Sequence, residues 1–171
     1  MRILMFMPAR NLFDKPAAKS SVLVVDDEVS LLNVYAAALE PYFDVATATS
    51  AREAEFLLHR KAFKVVVADH IMPGGNGMSF LVRAREDYPH MQRILVTGYM
   101  KPEMLLRSVN EAALFRYLLK PISMTEFLQV VQEAVMVHDQ LTARIAHRLD
   151  DHIGDRHAGR AKKLRQSKLA Y

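Results

Sequence analysis

The feature that most constrains this chain is the alternation of short, β-branched apolar runs with longer segments of helical period. The apolar runs lie at 21–25, 44–48, 64–68, 93–97 and 114–119. Helix candidates follow them at 28–39, 50–61, 77–88, 102–112 and from 123 onward. Strands that are apolar almost throughout suit a parallel sheet covered on both faces. The sequence therefore predicts an α/β fold, a doubly wound five-stranded parallel sheet with helices on both faces and an extended C-terminal helix.

The length of 171 residues suits one domain of ordinary size with a tail at each end. We expect an N-terminal extension over 1–19, a folded domain over 20–140, and a helical, basic C-terminal tail over 141–171. Cysteine is absent, which excludes disulfides, zinc–thiolate sites and thiol nucleophiles. The first apolar run closes at Pro8, short of a signal peptide or a membrane span. A cytoplasmic protein is the simplest prediction.

The excess of positive charge is confined to the two tails. Residues 1–20 carry four basic and one acidic side chain, and residues 151–171 carry six and two. The folded body between them is acidic, which argues against a nucleic-acid-binding surface there. The C-terminal basic cluster could contact nucleic acid, an acidic partner or anionic lipid; its members are Arg160, Lys162, Lys163, Arg165 and Lys168.

Polar side chains follow four of the five predicted strands, at the sheet edge where open parallel sheets bind ligands. They are Asp26 and Asp27 after the first strand, Asp69 after the third, Thr97 at the end of the fourth and Lys120 after the fifth. Clustered carboxylates repel one another and call for a cation, and oxygen ligands suit Mg²⁺. A carboxylate nucleophile, Mg²⁺ and a lysine together can stabilise a phosphoryl transfer, which depends mainly on positioning and charge neutralisation.

These landmarks occur in a characteristic order. They are Asp26-Asp27, Asp69-x-x-Met72-Pro73-x-x-x-Gly77, Thr97-Gly98 and Tyr117-x-x-Lys120-Pro121. The pattern resembles the receiver domain of two-component response regulators, over about residues 20–140. The resemblance implies a flavodoxin-like receiver fold. It also implies a phosphoprotein that takes a phosphoryl group from a histidine kinase or phosphotransfer protein and signals through a changed protein-binding surface.

The resemblance assigns the acidic landmarks to chemistry and metal binding. Asp69 would be the phospho-acceptor. Asp27 and Asp69 would hold Mg²⁺ directly, the backbone carbonyl of Ile71 would be a third protein ligand, and Asp26 would act through water.

The resemblance also assigns the remaining landmarks to the switch. Lys120 would hold a phosphoryl oxygen, and Thr97 would hydrogen-bond the phosphoryl group, leaving room for Tyr117 to turn inward. The bond before Pro121 is cis in most relatives. The output face would comprise the fourth helix, the fifth strand and the fifth helix, and it would bind a downstream protein or a second copy of the chain.

Two departures from the family carry predictions of their own. Gly74, Gly75 and Asn76 precede Gly77, so we expect a mobile loop. Ile71 and Tyr99 stand two residues after Asp69 and Thr97, where apolar or aromatic residues accompany slow loss of the phosphoryl group in relatives. We therefore predict a long-lived phosphorylated state.

The last helix is open to two interpretations. Neither Pro nor Gly interrupts residues 124–149, and apolar residues recur at three- and four-residue steps. A core helix that ends near Val137 and continues as a frayed segment is favoured over a dimerising coiled coil, because His138 and Thr142 lie on the seam.

Three other functions compete with the phosphorylation switch. A nucleic-acid-binding regulator would use the basic tail. An aspartyl-nucleophile phosphatase is disfavoured because no second acid stands two residues after Asp69, so we expect no enzyme beyond slow self-dephosphorylation. An unphosphorylated pseudo-receiver is disfavoured because every rim position is filled.

Overall fold

The structure, a computed structural model, describes residues 18–73, 75–98 and 111–167, with side chains as far as residue 148. The strands are β1 (Ser21–Val25), β2 (Asp44–Ala48), β3 (Val65–Asp69), β4 (Ile71–Met72), β5 (Gly75–Asn76), β6 (Gln92–Thr97) and β7 (Arg116–Leu119). The helices are α1 (Val29–Leu39), α2 (Ala51–Arg60), α3 (Gly77–Asp87) and α4 (Met124–Ser167).

Five strands form one sheet in the order β2-β1-β3-β6-β7, and every pair of neighbours is parallel. The predicted doubly wound parallel sheet is thereby confirmed. β3 lies at the centre, with Val67 opposite Ile94 of β6 and Val24 of β1. Because all five strands run the same way, their carboxyl ends meet at one edge.

Two apolar cores lie on opposite faces of the sheet, because successive side chains of a strand point to opposite sides. On one face Val22 and Val24 of β1 pack with α1 and the first turns of α4. On the other face Leu23 and Val25 pack with α2 and α3. This double burial explains why the strands read as continuous apolar runs.

Side-chain caps set the starts of three helices. The Ser50 hydroxyl accepts a bond of 3.2 Å from the Glu53 N–H at the start of α2. Asn76 caps α3, where its side chain accepts the Met78 N–H at 2.8 Å. Ser123 accepts the Glu126 N–H at 3.1 Å, which is one half of the capping box predicted for the last helix.

The predicted extended C-terminal helix is confirmed, but it does not end near Val137, so the favoured interpretation of where the helix ends is wrong. α4 continues to Ser167, although its core contacts end at Val135 and Met136 is already exposed. One ion pair anchors the helix just beyond the core, since Lys64 Nζ lies 2.7 Å from Asp139 Oδ1. No proline interrupts the segment, so the backbone hydrogen bonds can continue without tertiary support.

Some predictions fall outside the described residues. They concern the helix at 102–112 except for its last two residues, most of the extension at 1–19, Tyr99, Gly74 and residues 168–171. Within the described ranges, no helix is both long and apolar enough to cross a membrane.

Candidate functional site

The carboxyl edge of the sheet brings four of the predicted polar residues to one rim. Asp26 directly follows β1, Asp69 and Thr97 end β3 and β6, and Lys120 directly follows β7. Asp26, Asp69 and Thr97 are buried, with 3%, 8% and 1% exposure. Polar groups are rarely buried without partners, so their contacts define the site.

Lys120 links the two buried carboxylates. Its Nζ lies 2.5 Å from Asp69 Oδ1 and 3.2 Å from Asp26 Oδ2. Burial alone would lower the pKa of Lys120, but hydrogen bonds to Asp69 and Asp26 outweigh it and raise the pKa above its ordinary value. The side chain is therefore a firmly protonated ammonium between two carboxylates.

Backbone groups fix the directions of both carboxylates. Asp26 Oδ1 accepts the Glu28 N–H at 2.9 Å, and Asp69 Oδ2 accepts the Ile71 N–H at 2.8 Å. The Lys120 N–H donates to the Thr97 carbonyl at 2.8 Å, which ties β7 to β6 at the rim. The Lys120–Pro121 bond is cis, as the resemblance implies.

The remaining predicted residues lie at the surface of this edge or beside it. Asp27 is exposed, and Ile71 is exposed to 73%. Tyr117 lies on β7 and is 38% exposed. The structure thus brings Asp26, Asp69 and Lys120 into contact, and it leaves Asp27, Ile71 and Tyr117 open to solvent.

The acidic residues of the rim fit a hard divalent cation. Two buried carboxylates share one ammonium, and exposed Asp27 adds a further negative charge beside them. In the part of the chain that the structure describes, no three Asp, Glu, His or Cys side chains converge as a metal cage. Mg²⁺ needs no such cage, because it keeps several waters and takes one or two protein carboxylates.

His70 is a residue of this edge that sequence reasoning missed. Its ring is buried, with 5% exposure for the residue, and Nδ1 lies 3.1 Å from Thr97 Oγ1. A signal was present, since a histidine directly after Asp69 must point away from that carboxylate at the end of a strand. The partner on β6 could not be inferred, because 27 residues separate the two side chains.

Gly77 is required by close packing against the acceptor strand. A Cβ at this position would lie 1.8 Å from the Asp69 carbonyl oxygen, and the Gly77 N–H donates to the His70 carbonyl at 3.0 Å. The loop before it forms a small antiparallel hairpin of β4 and β5. The last glycine of this loop therefore permits a backbone contact.

The fold and the site define a doubly wound α/β protein with a buried acidic rim, and its sequence matches the response regulator receiver domain over residues 22–132. This match spans more than half of the chain, so the chain belongs to the response regulator receiver domain family. Members of this family are signalling switches of two-component systems, and they generally bind Mg²⁺ for phosphorylation.

Individual relatives agree with this membership. The hydrogenase transcriptional regulatory protein HoxA of Cupriavidus necator is 38% identical over 117 residues, which are 68% of this chain and 24% of HoxA. The alginate biosynthesis transcriptional regulatory protein AlgB of Pseudomonas aeruginosa is 33% identical over 125 residues, covering 72% and 27%. This chain thus spans about a quarter of the length of these relatives.

Among solved structures, a CheY-like response regulator receiver domain protein from Methanospirillum hungatei JF-1 has the same fold. The TM-score is 0.69 at 27% identity, over 72% of this chain and 98% of that one. The likeness is thus to nearly the whole of a receiver domain.

Proposed function

We propose that this chain is a phosphorylation-activated response regulator in which Asp69 accepts a phosphoryl group from a histidine kinase or phosphotransfer protein. The observation that carries the proposal is the short contact between Lys120 Nζ and Asp69 Oδ1, 2.5 Å, at the carboxyl edge of the sheet. The carboxylate there is oriented by the Ile71 N–H and accompanied by a cation, as suits a nucleophile toward phosphorus.

The reaction forms one bond and breaks one. An oxygen of Asp69 attacks the phosphorus of a phosphohistidine, and the P–N bond breaks with its electron pair returning to the donor imidazole. Lys120 would hold a phosphoryl oxygen and offset its charge. Asp27, Asp69 and the Ile71 carbonyl would hold Mg²⁺, with Asp26 acting through water, and the bound ion would neutralise further charge on the phosphoryl oxygens.

The proposed output is a change in protein binding, within the domain limits of 20–140 predicted from the sequence. Thr97 would hydrogen-bond the new phosphoryl group and Tyr117 would turn inward. This change would shift the equilibrium between two packings of the output face. The exposed Leu141 and Ile145 of α4 extend this face and suit a second copy of the chain as well as a different protein. We place the reaction in the cytoplasm.

Phosphorylation of the purified chain tests the proposal directly. Acetyl phosphate with Mg²⁺ should add one phosphoryl group, detected by intact-protein mass, and Asp69→Asn should abolish the addition. Asp44→Asn, which removes an exposed carboxylate at the opposite edge, is the matched control and should be modified normally. Chelation of Mg²⁺ should stop the reaction. Equal modification of Asp69→Asn and the parent would refute the assignment of the acceptor.

A partner pull-down tests the output. Captured proteins should differ between the chain with and without beryllofluoride and Mg²⁺, and Asp69→Asn should capture the same set under both conditions. An identical set from the parent chain under both conditions would contradict a phosphorylation-controlled binding surface.

A nucleic-acid-binding regulator is the second candidate, favoured by the basic tail and by relatives that are named transcriptional regulatory proteins. It predicts DNA binding that falls steeply with salt and is lost on deletion of residues 151–171. If the full chain does not bind DNA at low salt, this candidate function is excluded.

The lifetime of the phosphoryl group follows from the residues beside Asp69. Ile71 is apolar and exposed at the rim, so its side chain cannot position an attacking water. We expect slow loss of phosphate from the purified phosphoprotein, and Ile71→Asn should shorten the lifetime. Loss that is already rapid in the parent chain would contradict this.

A further inference from the structure

His70 and Thr97 form a buried polar pair immediately beside the acceptor. Their side chains are joined at 3.1 Å between Nδ1 and Oγ1, and neither residue is more than 5% exposed. Water cannot readily replace either partner at such a position, so breaking this bond costs free energy. The pair therefore has an energetic weight that an exposed pair would lack.

The backbone fixes His70 in place. Its N–H donates to the Val96 carbonyl at 2.8 Å, and its carbonyl accepts the Gly77 N–H at 3.0 Å. These two bonds tie the residue to β6 on one side and to the start of α3 on the other. The backbone of His70 therefore cannot follow Thr97 if the hydroxyl moves.

The position of the ring conflicts with the movement that the switch requires. Asp69 ends β3 and its carboxylate contacts Lys120, whereas the ring of His70, the next residue, contacts Thr97, so the two side chains face different partners. A Thr97 hydroxyl that turns toward a phosphoryl group on Asp69 must therefore lengthen its distance to His70. A longer distance breaks this bond whichever of the two side chains donates its hydrogen.

We infer that His70 is a positioning residue that competes with the phosphoryl group on Asp69 for the Thr97 hydroxyl, and that it thereby sets how readily the switch closes. This inference rests on the proposed phosphorylation of Asp69. His70 does not touch the reacting atoms in this scheme, and it acts through Thr97.

Binding of beryllofluoride, which mimics the phosphoryl group, measures the competition. Fluorine NMR of the full chain at saturating Mg²⁺ gives the apparent affinity as the ratio of bound to free signal. His70→Leu removes the competing nitrogen at similar volume and should tighten binding by roughly two- to tenfold, the range of one net hydrogen bond. His70→Asn, whose amide can restore a polar atom near Nδ1, should return the affinity to within about twofold of the parent.

The effect of His70→Leu with and without the Thr97 hydroxyl distinguishes a positioning role from a purely structural one. In the Thr97→Val background, His70→Leu should no longer tighten binding, because the contested group is gone. His90→Leu, the same change at an exposed histidine before β6, is the matched control and should leave the affinity unchanged. His70→Phe serves as a second apolar variant if His70→Leu does not fold.

Distinct outcomes overturn the inference and the proposed function. Unchanged or weaker beryllofluoride binding by both apolar variants, or equal tightening with and without the Thr97 hydroxyl, overturns the inference alone. No binding by the parent chain, or equal binding by Asp69→Asn, overturns the phosphorylation site and the inference with it.

Discussion

The two ends of the sheet use charge in opposite ways. At the amino ends of the strands, each lysine has its own partly exposed carboxylate partner. Lys61 lies 2.6 Å from Asp44, and Lys64 lies 2.7 Å from Asp139. At the carboxyl ends, the ammonium of Lys120 contacts two buried carboxylates, so carboxylates outnumber ammonium groups among the described side chains of this contact.

The buried cation at the amino end shows the same contrast. Arg93 is 5% exposed, and its guanidinium donates to the backbone carbonyls of Met91 at 2.5 Å and Ala112 at 2.8 Å, with longer bonds to Tyr88 and Ala113. The N–H groups of this guanidinium therefore hold neighbouring backbone segments together. The described side chains of the amino end are thus satisfied internally, whereas those of the carboxyl end place two carboxylates on one ammonium, an arrangement that a bound cation would help to balance.

The largest expected difference between the two ends of the sheet is in the rate of phosphorylation after one lysine is replaced at each end. Lys120→Met should slow phosphorylation by acetyl phosphate by about 10²–10³-fold, because it removes a positioned positive charge from the transition state. Lys64→Met removes an ion pair of 2.7 Å at the other end and should leave the rate unchanged. Equal rates in the two variants, measured by intact-protein mass over time, would contradict the contrast.

The structural role of the amino end is tested through Arg93. Arg93→Met should lower the free energy of unfolding by about 3 kcal/mol, because several backbone carbonyls lose their donor. Arg116→Met changes an exposed arginine that lies 3.2 Å from Glu133, and it should cost less than about 1 kcal/mol. Urea unfolding measures both, and a smaller loss for Arg93→Met would show that these carbonyls find other donors.

The packing of the acceptor strand is tested with two glycines. Gly77→Ala should cost about 2 kcal/mol, because its Cβ would overlap the Asp69 carbonyl and force the backbone to shift. Gly75→Ala places a Cβ 3.7 Å from Ala51 Cβ, an ordinary contact, and should change stability by less than about 0.5 kcal/mol. Thermal unfolding distinguishes them, and equal midpoints would argue against the steric requirement.

The smallest effect is expected for the exposed pairs. Burial alone would raise the pKa of Asp139, but hydrogen bonds from Lys64 and His138 outweigh it and lower the pKa below 3.8. The stabilisation is therefore present above the unfolded pKa and is lost as the pH falls through the lower folded value.

Asp139→Asn should accordingly cost a few tenths of a kcal/mol at neutral pH, because the side chain is about half exposed. It should cost nothing at a pH below both values. Unfolding curves at the two pH values measure the difference, and a cost that persists in acid would assign it to packing.

The positions of the inner strands could be predicted from sequence because these strands are covered on both faces. The run predicted at 64–68 lies at Val65–Asp69, and the run at 93–97 lies at Gln92–Thr97. The gathering of polar residues at one rim could be predicted from strand direction alone, because the carboxyl ends of parallel strands lie at the same edge of the sheet. Asp26, Asp69 and Lys120 could therefore be brought together without knowledge of any distance.

Features that depend on a distant partner could not be predicted in this way. His70 and Arg93 read as ordinary strand-end residues, because their partners are a hydroxyl and carbonyls on other elements. The end of the last helix was predicted wrongly for a different reason. Apolar periodicity reports where a helix is buried, and α4 continues beyond that point on its own backbone hydrogen bonds.

The length of α4 has a mechanical consequence. About 28 residues of α4 follow Asp139, which Lys64 ties to the sheet domain, and at 1.5 Å per residue they span about 42 Å. A rigid lever of that length converts a tilt of about 10° at its base into a displacement of about 7 Å at its tip. A rearrangement too small to alter the core beside Phe127 and Val131 would thus be amplified several-fold at the far end of the chain.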